Sequence, residues 1–208
     1  MRIVFYGDSI TDMGRNRNGD KNASGYGFGY PNFIAGDLLY EAPEKYDIIN
    51  RGISGNRIVD LYARVKADVW NLEPDVWSIL IGINDIWHEL GGKNGVDIVR
   101  FEKVYRMLLA DTKERFPNLK IMLCEPFVLE GTATSGNMEA FLEIKEYAKV
   151  VKKLADEFGC AFVPLQKAFD EAAAKHGAAY YLYDGVHPDS AGARLIANEW
   201  LKVFKTIE

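Results

Sequence analysis

Ile3-Val4-Phe5-Tyr6-Gly7-Asp8-Ser9 stands near the start of the chain: four apolar residues, then a glycine, a carboxylate and a hydroxyl. An unbroken apolar run of this length suits a strand buried on both faces, because a half-exposed strand would alternate apolar with polar residues. Gly-Asp-Ser is turn chemistry, so the strand should stop there and leave Ser9 at its carboxyl end. Similar runs recur at residues 46–50, 76–81, 119–124 and 160–163, and each is followed by a segment of helix length. Phe101, Val104, Tyr105, Leu108, Leu109, Thr112 and Phe116 share one helical face, as do Phe141, Ile144, Ala148, Val151, Ala155 and Phe158. Residues 191–204 read as a last helix, entered through Pro188-Asp189-Ser190 as a cap. Buried strands alternating with amphipathic helices predict an α/β fold with a parallel sheet covered on both sides. Ser9, Gly55, Asn84 and Glu125 all follow predicted strands, and ligand sites of such sheets lie at that edge.

Composition narrows the function. With 208 residues, 48% of them hydrophobic, and no Pro/Gly/Ser-rich linker, one domain over 1–208 is expected. Lys and Arg number 25 against 30 Asp and Glu, which leaves a net charge of -5 and no basic stripe for nucleic acid or anionic lipid. No apolar stretch reaches membrane-spanning length, and Met1 leads straight into the first strand without a leader pattern, so a cytoplasmic protein is expected. Cys124 and Cys160 sit in apolar runs and read as buried thiols. No Asp, Glu, His or Cys spacing resembles a metal site, and no cofactor is expected.

A serine becomes a useful nucleophile only with a base in reach. Of three histidines, His176 closes a predicted helix before Gly177, where it complements the helix dipole. His88 follows Asn84-Asp85 and suits a substrate contact and a solvated loop equally. His187 lies in Asp184-Gly185-Val186-His187-Pro188, where the spacing lets Asp184 hold Nδ1 and leaves Nε2 for Ser9. An ordinary Gly/Pro turn has the same pattern. Acyl chemistry also needs donors for the developing oxyanion. The Ser9 amide, the Gly55 amide and the Asn84 side chain are available, although each glycine also suits a backbone turn and Asn84 a helix cap. Asp8 and Asp85 read as acceptors that fix these loops.

Together, Gly7-Asp8-Ser9, Gly52-Ile53-Ser54-Gly55-Asn56, Gly82-Ile83-Asn84-Asp85 and Asp184 to His187 resemble, in order, the four blocks of the SGNH branch of the GDSL esterase and lipase superfamily. The resemblance implies a three-layer α/β/α sandwich around a mainly parallel, five-stranded, flavodoxin-like sheet. It implies catalysis by Ser9, His187 and Asp184, with an oxyanion hole of Ser9, Gly55 and Asn84. The absence of a Gly-x-Ser-x-Gly elbow argues against an α/β-hydrolase. Within the superfamily, residues 7–12, 51–56, 81–87 and Glu125-Pro126-Phe127 are most similar to intracellular acetylxylan esterases. That implies removal of O-acetyl groups from small xylo-oligosaccharides. Lysophospholipase, thioesterase and general short-chain carboxylesterase activities use the same site and stay open, as does a non-catalytic carbohydrate-binding protein. Trp87, Tyr183, Phe127 and Tyr26 are the aromatic candidates for sugar contact, against the alternative that such rings fill the core. The Gly25 to Tyr30 loop suits either a lid or a subunit contact, and a homo-oligomer stays open.

Overall fold

The computed structural model describes residues 1–19 and 21–208. Strands β1 (Arg2–Gly7), β2 (Asp47–Asn50), β3 (Val76–Leu80), β4 (Lys120–Cys124) and β5 (Ala161–Val163) form one sheet in the order β2-β1-β3-β4-β5, with every pair parallel. All five predicted strands are present, and no end moves by more than one residue. The helices are α1 (Ser9–Asp12), α2 (Ala23–Tyr26), α3 (Tyr30–Glu41), α4 (Ile58–Asp68), α5 (Ile83–Gly92), α6 (Ile98–Arg115), α7 (Met138–Phe141), α8 (Ile144–Phe158), α9 (Gln166–His176) and α10 (Ser190–Ile207). Phe141, expected on the same helix as Val151, stands on the separate turn α7. Turn bonds bridge it to α8, with the Glu143 amide on the Ala140 carbonyl, the Lys145 amide on the Leu142 carbonyl and the Glu146 amide on the Glu143 carbonyl.

Alternation along β1 builds both layers. Phe5 points to one face, where its ring meets Tyr30 of α3 and Trp200 of α10. Its neighbour Tyr6 points to the other, against Trp77 and the Arg64 guanidinium of α4. Both rings are fully buried, and burying a large apolar side chain contributes about 1.5–3 kcal/mol before its entropy cost. Trp200 also places its indole N–H on the Ser78 hydroxyl at 2.9 Å, so the polar atoms of this pair are satisfied inside the core. Helices α3 and α10 pack together on one face; α4, α6 and α8 follow one another across the other. Cys124 and Cys160 are free thiols whose pKa values burial pushes up to about 12 and about 11, which keeps both unreactive. No described helix is long and apolar enough to cross a membrane.

The strand order decides where a ligand can sit. β2 lies on one side of β1 and β3 on the other, so the connections diverge at the β1/β3 boundary and leave a crevice beyond the carboxyl ends of those strands. Ser9 follows β1 after the single residue Asp8, and Asn84 follows β3 in the first turn of α5.

Candidate active site

At the end of β1, Asp8 caps α1: its Oδ1 accepts the Ile10 amide at 2.9 Å, and Ser9 becomes the first helical residue. The Ser9 hydroxyl lies 2.8 Å from His187 Nε2. His187 Nδ1 lies 2.7 Å from Asp184 Oδ2. The sequence spacing produces this pair locally. Asp184 Oδ1 accepts the amides of Val186 and His187 at 2.9 and 2.8 Å, curling the backbone so that the second oxygen meets the ring. Burial alone would raise the Asp184 carboxyl. The His187 amide, the His187 ring and the Val186 amide together outweigh that and hold it below the ordinary carboxylate range.

A second loop grips this turn from behind. The Ala133 amide donates to the Asp184 carbonyl and the Leu129 amide to the Gly185 carbonyl, both at 2.9 Å. Buried Thr134 fastens that loop to itself: its hydroxyl donates to the Leu129 carbonyl and accepts the Gly131 amide, each at 2.8 Å. Gly131 runs so close beneath the turn that a Cβ there would sit 2.4 Å from the Asp184 carbonyl carbon. Sequence reading did not single out Thr134 or Gly131.

In the loop that the Ile53 amide ties to the Gly7 carbonyl at 3.0 Å, Gly55 adopts φ +81°, the left-handed region that a glycine enters without a Cβ penalty. Neither the Ser9 nor the Gly55 amide donates to any described acceptor. Asn84 is buried and spends one amide proton on the Asn56 carbonyl at 3.1 Å, leaving the other for a ligand. Asp12 anchors the Gly55 loop, since its Oδ2 accepts both the amide and the hydroxyl of Ser54 at 2.9 Å. Buried Asn50 ties the same loop to α1: it accepts the Gly52 amide and donates to the Thr11 carbonyl. Asp85 takes the loop-fixing role expected of it by accepting the Ile58 amide at the start of α4, and burial pushes its carboxyl well above the ordinary range.

The aromatic candidates divide. Trp87 lies beside His187, ring centroids 5.9 Å apart, and is braced edge-on by Phe141 at 5.5 Å. Tyr183 is 53% exposed and stacks on the His187 ring at 5.8 Å. Phe127 and Tyr26, expected to touch substrate, are instead core residues. Phe127 is 1% exposed and packs on Phe169 at 4.4 Å. Tyr26 is buried within α2, where Asp47 at the far end of β2 is the charged group that acts on its hydroxyl. Both rings fill apolar volume on the sheet's flanks instead of lining the crevice. Of the Gly25 to Tyr30 loop, only the Phe28 ring projects into solvent; Tyr30 is buried against Phe5. His88 borders the Gly55 loop, its ring carbon 4.0 Å from where a Gly55 Cβ would be. Glu125 accepts the Leu165 and Gln166 amides at 2.7 and 2.9 Å and joins β4 to α9.

Residues 5–195 match the GDSL-like lipase/acylhydrolase family. An acetylxylan esterase of Geobacillus stearothermophilus is 36% identical, over 97% of this chain and 92% of that protein. Its crystal structure, under the name Axe2, superimposes with a TM-score of 0.86. Structures of three catalytic mutants of that enzyme carry alanine in place of a serine, an aspartate or a histidine. A candidate GDSL-like lipase of Parabacteroides merdae is 43% identical, over 98% of this chain and 95% of its own, with a TM-score of 0.92. The chain belongs to the GDSL-like lipase/acylhydrolase family and is a carboxylic ester hydrolase.

Proposed function

We propose that the protein removes O-acetyl groups from short xylo-oligosaccharides through an acetyl-serine intermediate. Ser9 Oγ attacks the acetyl carbonyl while His187 Nε2 takes its proton; Asp184 holds the imidazole in the tautomer that exposes Nε2 and stabilises the cation that forms. The oxyanion collects on the amides of Ser9 and Gly55 and on the free Asn84 proton. His187 then returns the proton to the departing sugar hydroxyl, and water clears the acetyl group by the same route. The observation that carries this reading is the relay of 2.8 and 2.7 Å from Ser9 through His187 to Asp184, assembled from opposite ends of the chain.

The acetylated-sugar substrate is supported by the acetylxylan esterase relative, Axe2, which is also described as an acetyl-xylooligosaccharide esterase. It is supported also by the two rings flanking His187. Trp87 closes the space behind the reacting carbonyl to a short acyl group, and the exposed face of Tyr183 suits a pyranose ring with its apolar C–H surface. The test is acetate release from acetylated xylo-oligosaccharides by the parent and Ser9→Ala enzymes, with p-nitrophenyl acetate as control. Release by the parent alone supports both parts. Turnover of the synthetic ester without the sugar would keep Ser9, His187 and Asp184 and discard xylan. A p-nitrophenyl series that favours long acyl chains would point instead to a lipid or thioester substrate.

A further inference from the structure

One guanidinium ties together the segments that carry Ser9 and Gly55 and, through Asn56, reaches Asn84. Arg64, on α4, has a side chain only 16% exposed. Its Nη2 donates to the carbonyl of Gly7, the residue before Asp8-Ser9, at 3.1 Å. Its Nη1 donates to the Arg51 carbonyl at 2.8 Å, where β2 enters the Gly55 loop, and to Asp68 Oδ2 at 2.6 Å. Its Nε donates to the Asn56 side-chain oxygen at 2.6 Å, directly after Gly55. The backbone carbonyl of that same Asn56 receives the Asn84 proton. The guanidinium carbon lies over the Tyr6 ring, 4.2 Å from its centroid, a cation–π contact that adds to these hydrogen bonds.

We propose that Arg64 is a positioning residue for the oxyanion hole: it fixes the Ser9 turn, the Gly55 loop and, through Asn56, the Asn84 side chain in one register. The inference rests on reading Ser9, Gly55 and Asn84 as the oxyanion donors. The planar fork is what the geometry requires, because four acceptors on three segments, the end of β1, the Gly55 loop and α4, are met by donors in fixed relative directions. A lysine ammonium keeps the charge and the Asp68 pair yet cannot reproduce that fork. The oxyanion exists only after attack, so loosened donors lower kcat and leave KM nearly untouched.

The experiment compares parent, Arg64→Lys, Asn84→Ala and the double variant on p-nitrophenyl acetate, with thermal unfolding of each. Removing one oxyanion donor typically costs about 10²–10³-fold in kcat, and a shift of about 1 Å in a catalytic group about 10²-fold. Arg64→Lys should therefore lose about 10²-fold in kcat with KM within about threefold. The double variant should lose clearly less than the product of the single losses, because both substitutions spoil the same device. In Arg64→Ala, guanidinium chloride at concentrations far below denaturing should restore kcat about tenfold where sodium chloride does not. If Asn84→Ala retains kcat within threefold, the oxyanion reading fails and the inference falls with it. If Asn84→Ala is crippled but Arg64→Lys is not, or the losses multiply, the role of Arg64 alone is refuted. A rise confined to KM, or a lysine variant that no longer unfolds cooperatively, would make Arg64 a binding or folding residue and overturn the proposal.

Discussion

Replacing Asp8 by asparagine should abolish a large pH dependence of stability. Asp8 is buried, and although Oδ1 holds the Ile10 amide, Oδ2 has no described partner. Burial is the main reason its pKa rises from 3.8 to about 7, opposed by the Ile10 amide and by His187 and reinforced by Asp12. The unfolded chain loses this proton near 3.8 and the folded chain keeps it until about 7. In that window the folded state binds more protons, so stability falls as pH rises. The contribution is fully present below the unfolded pKa and is lost once pH passes the folded one. At roughly 1.4 kcal/mol per tenfold change in proton affinity, the effect comes to about 4 kcal/mol. The asparagine side chain keeps the cap to Ile10 and cannot ionise. It also relieves Asp85, whose raised pKa owes part of its shift to the Asp8 charge. Urea unfolding of the parent and Asp8→Asn, followed by tryptophan fluorescence between about pH 4.5 and 7.5, reads Asp8 together with its coupling to Asp85 as the difference between the two curves. The parent should lose several kcal/mol relative to Asp8→Asn across that range. A difference constant to within about 0.5 kcal/mol would refute the buried-acid reasoning.

Two further substitutions probe the site from its walls. Gly131→Ala places a methyl group 2.4 Å from both the Asp184 carbonyl carbon and the Gly185 nitrogen, so the turn bearing Asp184 and His187 must move; kcat on p-nitrophenyl acetate should drop about 10²-fold, checked against an unfolding curve that shows the protein folded. Trp87→Ala removes the ring beside His187 and, on the proposed reading, the wall that limits the acyl group. The ratio of hexanoate to acetate turnover should rise about tenfold or more, at about 1–3 kcal/mol per methylene accommodated, and an unchanged ratio would place the acyl group elsewhere.

The strands were legible because burial on both faces leaves a local signature, an apolar run that stops at turn residues. Ser9, Asp184 and His187 were legible for a related reason: each stands at a strand end or within a turn whose hydrogen bonds close over a few residues. Arg64 left no such trace. On α4, with Asp68 four residues ahead, it reads as an ordinary surface pair, and its useful bonds go to the Gly7 and Arg51 carbonyls, which any residue would supply. Thr134 was hidden in the same way, since its partners are backbone groups of a loop without periodicity. Tyr26 and Phe127 misled because an aromatic ring near a strand end can turn to the crevice or to the core. The choice is made by a distant residue such as Phe169, which sequence spacing does not reveal.

Three carboxylates lie within the sequence blocks of the site, and the fold gives only one of them the environment of an anion. Asp184 receives three hydrogen bonds, two from amides and one from the His187 ring, and keeps its charge to below the ordinary range. Asp8 has one donor and Asp85 one, and burial drives both the other way. Depth of burial first and donor count second, not proximity to the serine, therefore separate the roles. As pH falls through about 7, Asp8 takes up a proton and ceases to compete for the positive charge that forms on His187, while Asp184 stays ionised.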